Sequence, residues 1–208
     1  MNDEYMLDTP ALRDFIGQVQ AIKARAQSIP EALAALRPHF SKLLADPTWL
    51  PDAFRQPDAA SGMGGGIATW LIYRAGDSSL SLFALVVPPG VATPIHDHLA
   101  WGLVGLYVGE QMEEVFAPVD DADDEAAAPG KLRLTATNHL RAGEFYELIP
   151  PRDDIHRVTT TSLGPSVSLH LLGNDTGCVW RHRYELETST IQPFRSGYTN
   201  RACPEHDR

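Results

Sequence analysis

Apolar residues recur at two different periods along this chain, and the change falls near residue 60. Between Thr9 and about Leu44, the residues Leu12, Phe15, Val19, Ile22 and Ala26 follow one another at spacings of three and four, the stripe of an amphipathic helix. A second helix is predicted from Pro30, which suits a first helical turn, through Leu33, Leu36, Phe40 and Leu43. Pro38 is placed to kink or break it, and Pro47 and Pro51 end the helical part. After Gly62 short apolar runs take over: WLIYRA, SLSLFALVV, WGLVGLYVG, QMEEVFAPV, KLRLTATNHL, EFYELIP, HRVTTT and PSVSLHLLG, with Gly, Pro and Asp between them. Many short strands at such intervals predict an all-β sandwich or barrel behind an N-terminal helical segment of residues 1–60, the barrel occupying 61–208.

Composition narrows the class without changing that outline. A chain of 208 residues, 43% apolar and 21% charged, fits one soluble domain with a sizeable core. No period of the length used by propellers or solenoids is visible. The formal charge of -10 comes without any cluster of Lys and Arg, which argues against nucleic acid or an anionic membrane as partner. Part of the excess is the run Asp120, Asp121, Asp123, Asp124 and Glu125, read as a solvated loop between strands. The two cysteines, Cys178 and Cys203, lie far apart and suggest no disulfide framework. With no targeting segment and no apolar stretch of spanning length, a cytoplasmic location is the default expectation. Nothing in the sequence sets an oligomeric state.

The chemistry concentrates in histidines. His96 and His98 stand two apart in a strand-like run, so both imidazoles face one side and Asp97 faces the other, as a turn or supporting residue. His156 opens a later strand. His96 and His98 could instead be hydrogen-bonded core histidines, but an H-x-H pair framed by glycines at regular spacing, with a third histidine downstream, is the pattern of a metal site. His39 and His139 lack such framing, and His182 and His206 carry no usable signal.

These stretches resemble the two cupin motifs. Gly90, His96, His98, Gly102 and Gly109 fall at the first motif's spacing; Gly143, Pro151 and His156 fit the second more loosely, with Asp153 in place of a glycine. Gly102 stands where the first motif usually places a glutamate, so the resemblance implies a double-stranded β-helix whose metal is held by His96, His98 and His156 alone. Three neutral imidazoles leave positions open for a substrate and dioxygen, and an ion that keeps its full charge favours an anionic thiolate.

The run SVSLHLLG puts Ser168 and His170 on one face of a late strand and resembles the serine-x-histidine-x-tyrosine signature of thiol dioxygenases of the cysteine dioxygenase family. Leu172 replaces the tyrosine, and no cysteine follows His98, so the tyrosine crosslink of animal members cannot form. LRPHF, WLPDAF, TPIHDHLAWGLVG and SLHLLGNDTG make the likeness closest to bacterial 3-mercaptopropionate dioxygenases. The resemblance implies ferrous iron, dioxygen as co-substrate, and a small thiol carboxylate such as 3-mercaptopropionate, cysteine or mercaptosuccinate oxidised to its sulfinate. It also implies that Ser168 and His170 support the chemistry and that an arginine holds the carboxylate. Arg181 matches the mercaptopropionate-type position and Arg74 the cysteine-type position; use of both would fit a dicarboxylate thiol.

Two other functions remain open on sequence. A metal-dependent cupin lyase or isomerase would need a proton-removing group, for which Tyr107, Tyr146 and Glu147 are candidates. A non-catalytic small-molecule sensor would need an appended DNA-binding or signalling segment, and the N-terminal helices show no basic recognition face.

Overall fold

The computed structural model describes residues 2–59, 63–119 and 130–204. Helices α1 (Pro10–Arg25) and α2 (Ile29–Ala45) form where the stripes predict them. Thr9 and Ser28 cap them, accepting hydrogen bonds from the Leu12 and Glu31 amides, and each helix carries a proline in its first turn, where a missing N–H costs nothing. The expected interruption at Pro38 does not occur: α2 runs unbroken to Ala45, because its buried residues Leu33, Leu36, Phe40 and Leu44 hold both halves against the same sheet. The acidic run at 120–125 lies outside the described residues. Among the described residues, no helix is long and apolar enough to cross a membrane.

Among the described residues, twelve strands follow the chain order β1 (Glu4–Tyr5), β2 (Ala68–Arg74), β3 (Ser81–Val87), β4 (Ile95–His96), β5 (Gly102–Val108), β6 (Glu110–Pro118), β7 (Leu132–Arg141), β8 (Phe145–Leu148), β9 (Ile155–Thr160), β10 (Ser166–Leu172), β11 (Arg181–Glu185) and β12 (Thr190–Phe194). They form two six-stranded sheets, ordered β1-β2-β3-β10-β5-β8 and β12-β11-β4-β9-β6-β7, with every pairing antiparallel. This is the double-stranded β-helix that the motifs imply. All eight runs singled out in the sequence become strands; the strand-like run at the H-x-H pair is realised only as β4, which ends at His96 and leaves His98 beyond it, and β1, β11 and β12 were not anticipated.

The first sheet is buried on both faces, and its alternation sorts two cores. Leu82, Ala84 and Val86 of β3 and Val167, Leu169 and Leu171 of β10 face the helices. A Cβ on Gly105 would lie 2.5 Å from Leu44 and 2.8 Å from Phe40, so only glycine lets α2 seat directly on β5. Phe83, Leu85, Val87, Val104 and Leu172 face inward, toward the second sheet. His96 and His156 face them from opposite each other on β4 and β9.

The cysteines correct the sequence reading, because Cys178 and Cys203 are disulfide-bonded across 25 residues. What joins them is tertiary: Tyr198 packs on Gly177 and bonds its amide, bringing the C-terminal segment beside the β10–β11 connection. Structural disulfides belong mainly to oxidising compartments, so the cysteines no longer favour the cytoplasmic default.

Candidate metal centre

His96, His98 and His156 converge as the sequence predicts. Their candidate ligand nitrogens lie within 4.8 Å of one another, and all three side chains are buried. Each ring is fixed from behind through Nδ1: His96 by the Pro94 carbonyl at 2.9 Å, His98 by Asp154 at 3.1 Å, and His156 by Glu113 at 2.8 Å. An Nδ1 proton committed to an acceptor leaves Nε2 as the free lone pair, the state a metal ligand requires. Burial above all, with the nearby Arg181 cation adding to it, pushes His96 and His98 well below the usual histidine range, so both stay neutral at physiological pH. The residues fit a divalent metal held on three imidazoles.

Two acids behind the rings went unnoticed in the sequence. Asp154 also accepts the His98 and Leu99 amides, both at 3.0 Å, which secures a turn where Leu99 has φ +54°, unusual for a leucine. Its neighbour Asp153, in place of the motif's glycine, adopts φ +54°, a conformation aspartate tolerates better than most residues. Burial raises the Asp154 carboxyl, partly opposed by those amides. Glu113 is also raised by burial, but its bonds to His156, Asn138 and Tyr146 prevail and hold it below the usual range. Among the described residues no carboxylate joins the ligand group, yet two carboxylates touch its far side, so the charge of an ion held there would be more compensated than neutral ligands alone imply. The motif's glutamate has no space to return: a Cβ on Gly102 would lie 2.2 Å from the Leu171 carbonyl and 2.5 Å from Leu172 Cδ2. Leu172, in place of the signature tyrosine, therefore packs against the glycine that replaces the glutamate.

Asp97 points away from the histidines, accepting from the His182 amide and Nδ1 at 2.8 and 2.7 Å and from the Tyr184 hydroxyl at 3.2 Å. His182, silent in the sequence, thereby anchors the ligand loop.

A small cavity beside the histidines is lined by Met63, Thr69, Phe83, Leu85, His170, Arg181 and Ser196 together with His96 and His98. Its free volume of about 10 Å³ is close to what one water needs, so a larger guest enters only as flexible wall side chains such as Met63 give way. His170 stacks on Phe83 with ring centres 4.7 Å apart, and burial holds its pKa down to about 3. His170 Nδ1, Ser168 Oγ and Thr69 Oγ1 are buried and find no hydrogen-bond partner among the described residues. Such orphans are uncommon in folded proteins, and each calls for an explanation such as a bound water, an ion or a functional role.

The two candidate arginines part company. Arg181 reaches the cavity; Nη1 donates to the Asp97 carbonyl at 2.6 Å, Nη2 to Ser196 Oγ at 3.0 Å and Nε to the Thr176 carbonyl at 3.4 Å. None of these acceptors carries a charge, and burial lowers its pKa to about 10, still cationic at neutral pH. Arg74 is not among the lining residues; it pairs with Glu4 at 2.7 Å and Asp175 at 2.9 Å. Of the lyase candidates, Tyr107 bonds the Asp46 carbonyl, Glu147 pairs with Arg37, and Tyr146 meets His156 Nδ1 at 3.3 Å from behind; none lines the cavity.

No protein-family model matches the chain. Among solved structures it is similar to peruvianin-I, a cysteine peptidase from Thevetia peruviana latex, at 17% identity over 63% of this chain and 74% of that one, with a TM-score of 0.43. It is also similar to an oxalate oxidase, at 15% identity over 63% of this chain and 61% of that one, with a TM-score of 0.43. A third match is an uncharacterised double-stranded β-helix protein from Klebsiella pneumoniae, at 12% identity over 60% and 81%, with a TM-score of 0.41. The chain thus spans under two thirds of the oxalate oxidase's length. Likeness this distant carries nothing about chemistry, which has to be read from the site itself.

Proposed function

We propose that the protein is a thiol dioxygenase that converts a small thiol carboxylate, of the size of 3-mercaptopropionate, to its sulfinate. The observation that carries this reading is Arg181, a buried guanidinium with no carboxylate within ion-pair distance among the described residues, in the same cavity as His96 and His98. A buried cation that Asp97 and Asp154 compensate only from a distance is costly, and an anionic substrate in direct contact would compensate it further while leaving the rest of the molecule near the histidines.

Ferrous iron held by His96, His98 and His156 would supply the redox capacity to activate dioxygen, which zinc lacks. The chain's own contribution is binding and exclusion. Arg181 keeps N–H groups beyond the three already engaged and offers them to the carboxylate in a fixed plane. Phe83, Leu85 and Met63 supply the apolar part of the lining, and a cavity this small admits little water, which strengthens the attraction between Arg181 and the acid. His170, neutral and held by its stack on Phe83, presents an unused ring nitrogen, and Ser168 an unused hydroxyl, on the same inner face. In the overall change both oxygen atoms of O2 join sulfur, the carbon–sulfur bond survives, and the thiol proton remains with the sulfinic acid.

The test is oxygen uptake after anaerobic loading with ferrous ion, with product analysis, across 3-mercaptopropionate, cysteine, mercaptosuccinate and cysteamine. Uptake with stoichiometric sulfinate for the acids, and little for cysteamine, is expected. Equal turnover of cysteamine would remove the role of Arg181, and uptake with none of the four would reject the reading.

A further inference from the structure

We propose that Thr69 is a specificity-determining residue whose hydroxyl donates to the acid group of the substrate beside the Arg181 guanidinium; this rests on the function proposed above. Thr69 lies on β2, and its register partner on β3 is Leu85, which in turn pairs with Ser168 on β10. The three side chains form one row across the inner face of the first sheet, and the row ends in two buried hydroxyls without partners. Around Thr69 the wall is apolar, with Leu85 and Phe83 beside it in the cavity lining. A valine has the same shape and would pack there without stranding an oxygen, so nothing in the packing calls for a hydroxyl.

The backbone shows where that hydroxyl sits relative to Arg181. Thr199 clamps Thr69 from both sides, accepting its amide at 3.0 Å and donating to its carbonyl at 2.7 Å. Three residues earlier in the same segment, Ser196 accepts from Arg181 Nη2 at 3.0 Å. One short stretch of chain therefore ties Thr69 and Arg181 to each other across the cavity they both line. With three guanidinium donors already committed, Arg181 cannot satisfy every lone pair of a carboxylate, and a neighbouring hydroxyl supplies a further donor. A thiol without an acid group would leave that hydroxyl unpaired, so Thr69 discriminates as well as binds.

The experiment measures equilibrium binding by calorimetry to the ferrous-loaded protein without oxygen, using 3-mercaptopropionate and propane-1-thiol. Parent protein, Thr69→Val, Thr69→Ser and Arg181→Lys are compared, and melting temperatures are taken on the metal-free proteins. Thr69→Val is expected to weaken 3-mercaptopropionate about tenfold, to change propane-1-thiol less than about twofold, and to leave melting unchanged or raised. Thr69→Ser should restore binding to within about threefold. Equal losses for both thiols, failure of serine to restore binding, or a lowered melting temperature in Thr69→Val would each overturn the proposal. So would unchanged binding in Thr69→Val while Arg181→Lys weakens it, an outcome that leaves the dioxygenase reading standing. Parent protein that binds both thiols equally, or neither, rejects that reading and this inference with it.

Discussion

Two arginines are buried to nearly the same degree, Arg74 at 7% and Arg181 at 4% exposure, and their surroundings are opposite. Arg74 sits in a clasp that joins three distant parts of the chain. Its guanidinium bridges Glu4 and Asp175; Glu4 also holds Arg201, Asp175 also accepts from Tyr198, and the Cys178–Cys203 bond lies alongside. Burial works against its charge, but Asp175 and Glu4 more than offset this, and the proton is held more tightly than usual. Arg181 has carbonyls, a hydroxyl and the face of Phe194, and burial prevails. Burial of a charge is therefore not itself a sign of function; what matters is whether the chain supplies the counter-charge. The clasp is complete within the molecule, whereas the cavity keeps a guanidinium that no carboxylate contacts beside three converging imidazoles.

The largest effect that would sharpen this contrast lies at the ligands. Single replacement of His96, His98 or His156 by Ala should lower metal affinity by more than about 100-fold, since removal of a ligand exceeds the loss of a residue that merely orients one. Metal content after dialysis checks it; a variant that retains full metal and activity shows that its histidine is not a ligand.

The arginines should then cross over. Arg74→Met leaves Asp175 buried without its cation and should destabilise the fold by about 3–5 kcal/mol, read by denaturant melts, while changing the Michaelis constant little. Arg181→Met removes a charge that no carboxylate contacts directly, which offsets part of the three lost hydrogen bonds, so its stability cost should be smaller. Its Michaelis constant for 3-mercaptopropionate should rise roughly 10- to 150-fold, the equivalent of about 1.5–3 kcal/mol. The reverse pattern would exchange the roles of the two arginines.

Glu113→Gln keeps the bond to His156 but removes its charge, and should weaken metal binding by about tenfold, the lower end for a residue that orients a ligand. Titration with a competing chelator measures it.

The smallest effect is on acid stability. His170 titrates near 3 in the folded protein against about 6.5 when unfolded, so between these values the unfolded chain binds a proton that the folded one does not. The contribution of His170 to the stability of the metal-free protein is thus fully present above pH 6.5 and is lost by up to about 1.4 kcal/mol per pH unit below it, with His96 and His98 adding in the same direction. His170→Phe, which preserves a ring against Phe83, should make melts between pH 6.5 and 4 less steep by about one proton's worth.

Local patterning was enough to place the helices, eight of the strands and the shared face of Ser168 and His170, because periods of 3.6 and 2 are properties of neighbouring residues. The H-x-H pair and the spacing of Gly90, Gly102 and Gly109 likewise identified His96 and His98 as one group, with His156 as its third member. Sequence separated Arg74 and Arg181 only through a resemblance, since each by itself is simply an arginine near a strand; the counter-ions that distinguish them come from residues 70 and 101 positions away from Arg74. Glu113 and Asp154 behind the rings, the Cys178–Cys203 bond and the unpartnered hydroxyl of Thr69 were illegible for the same reason. Each depends on which strand lies beside which and on what fails to reach a given atom. A linear sequence records the groups a chain possesses, whereas only the closed barrel decides which of them are already paired and which are left facing the cavity.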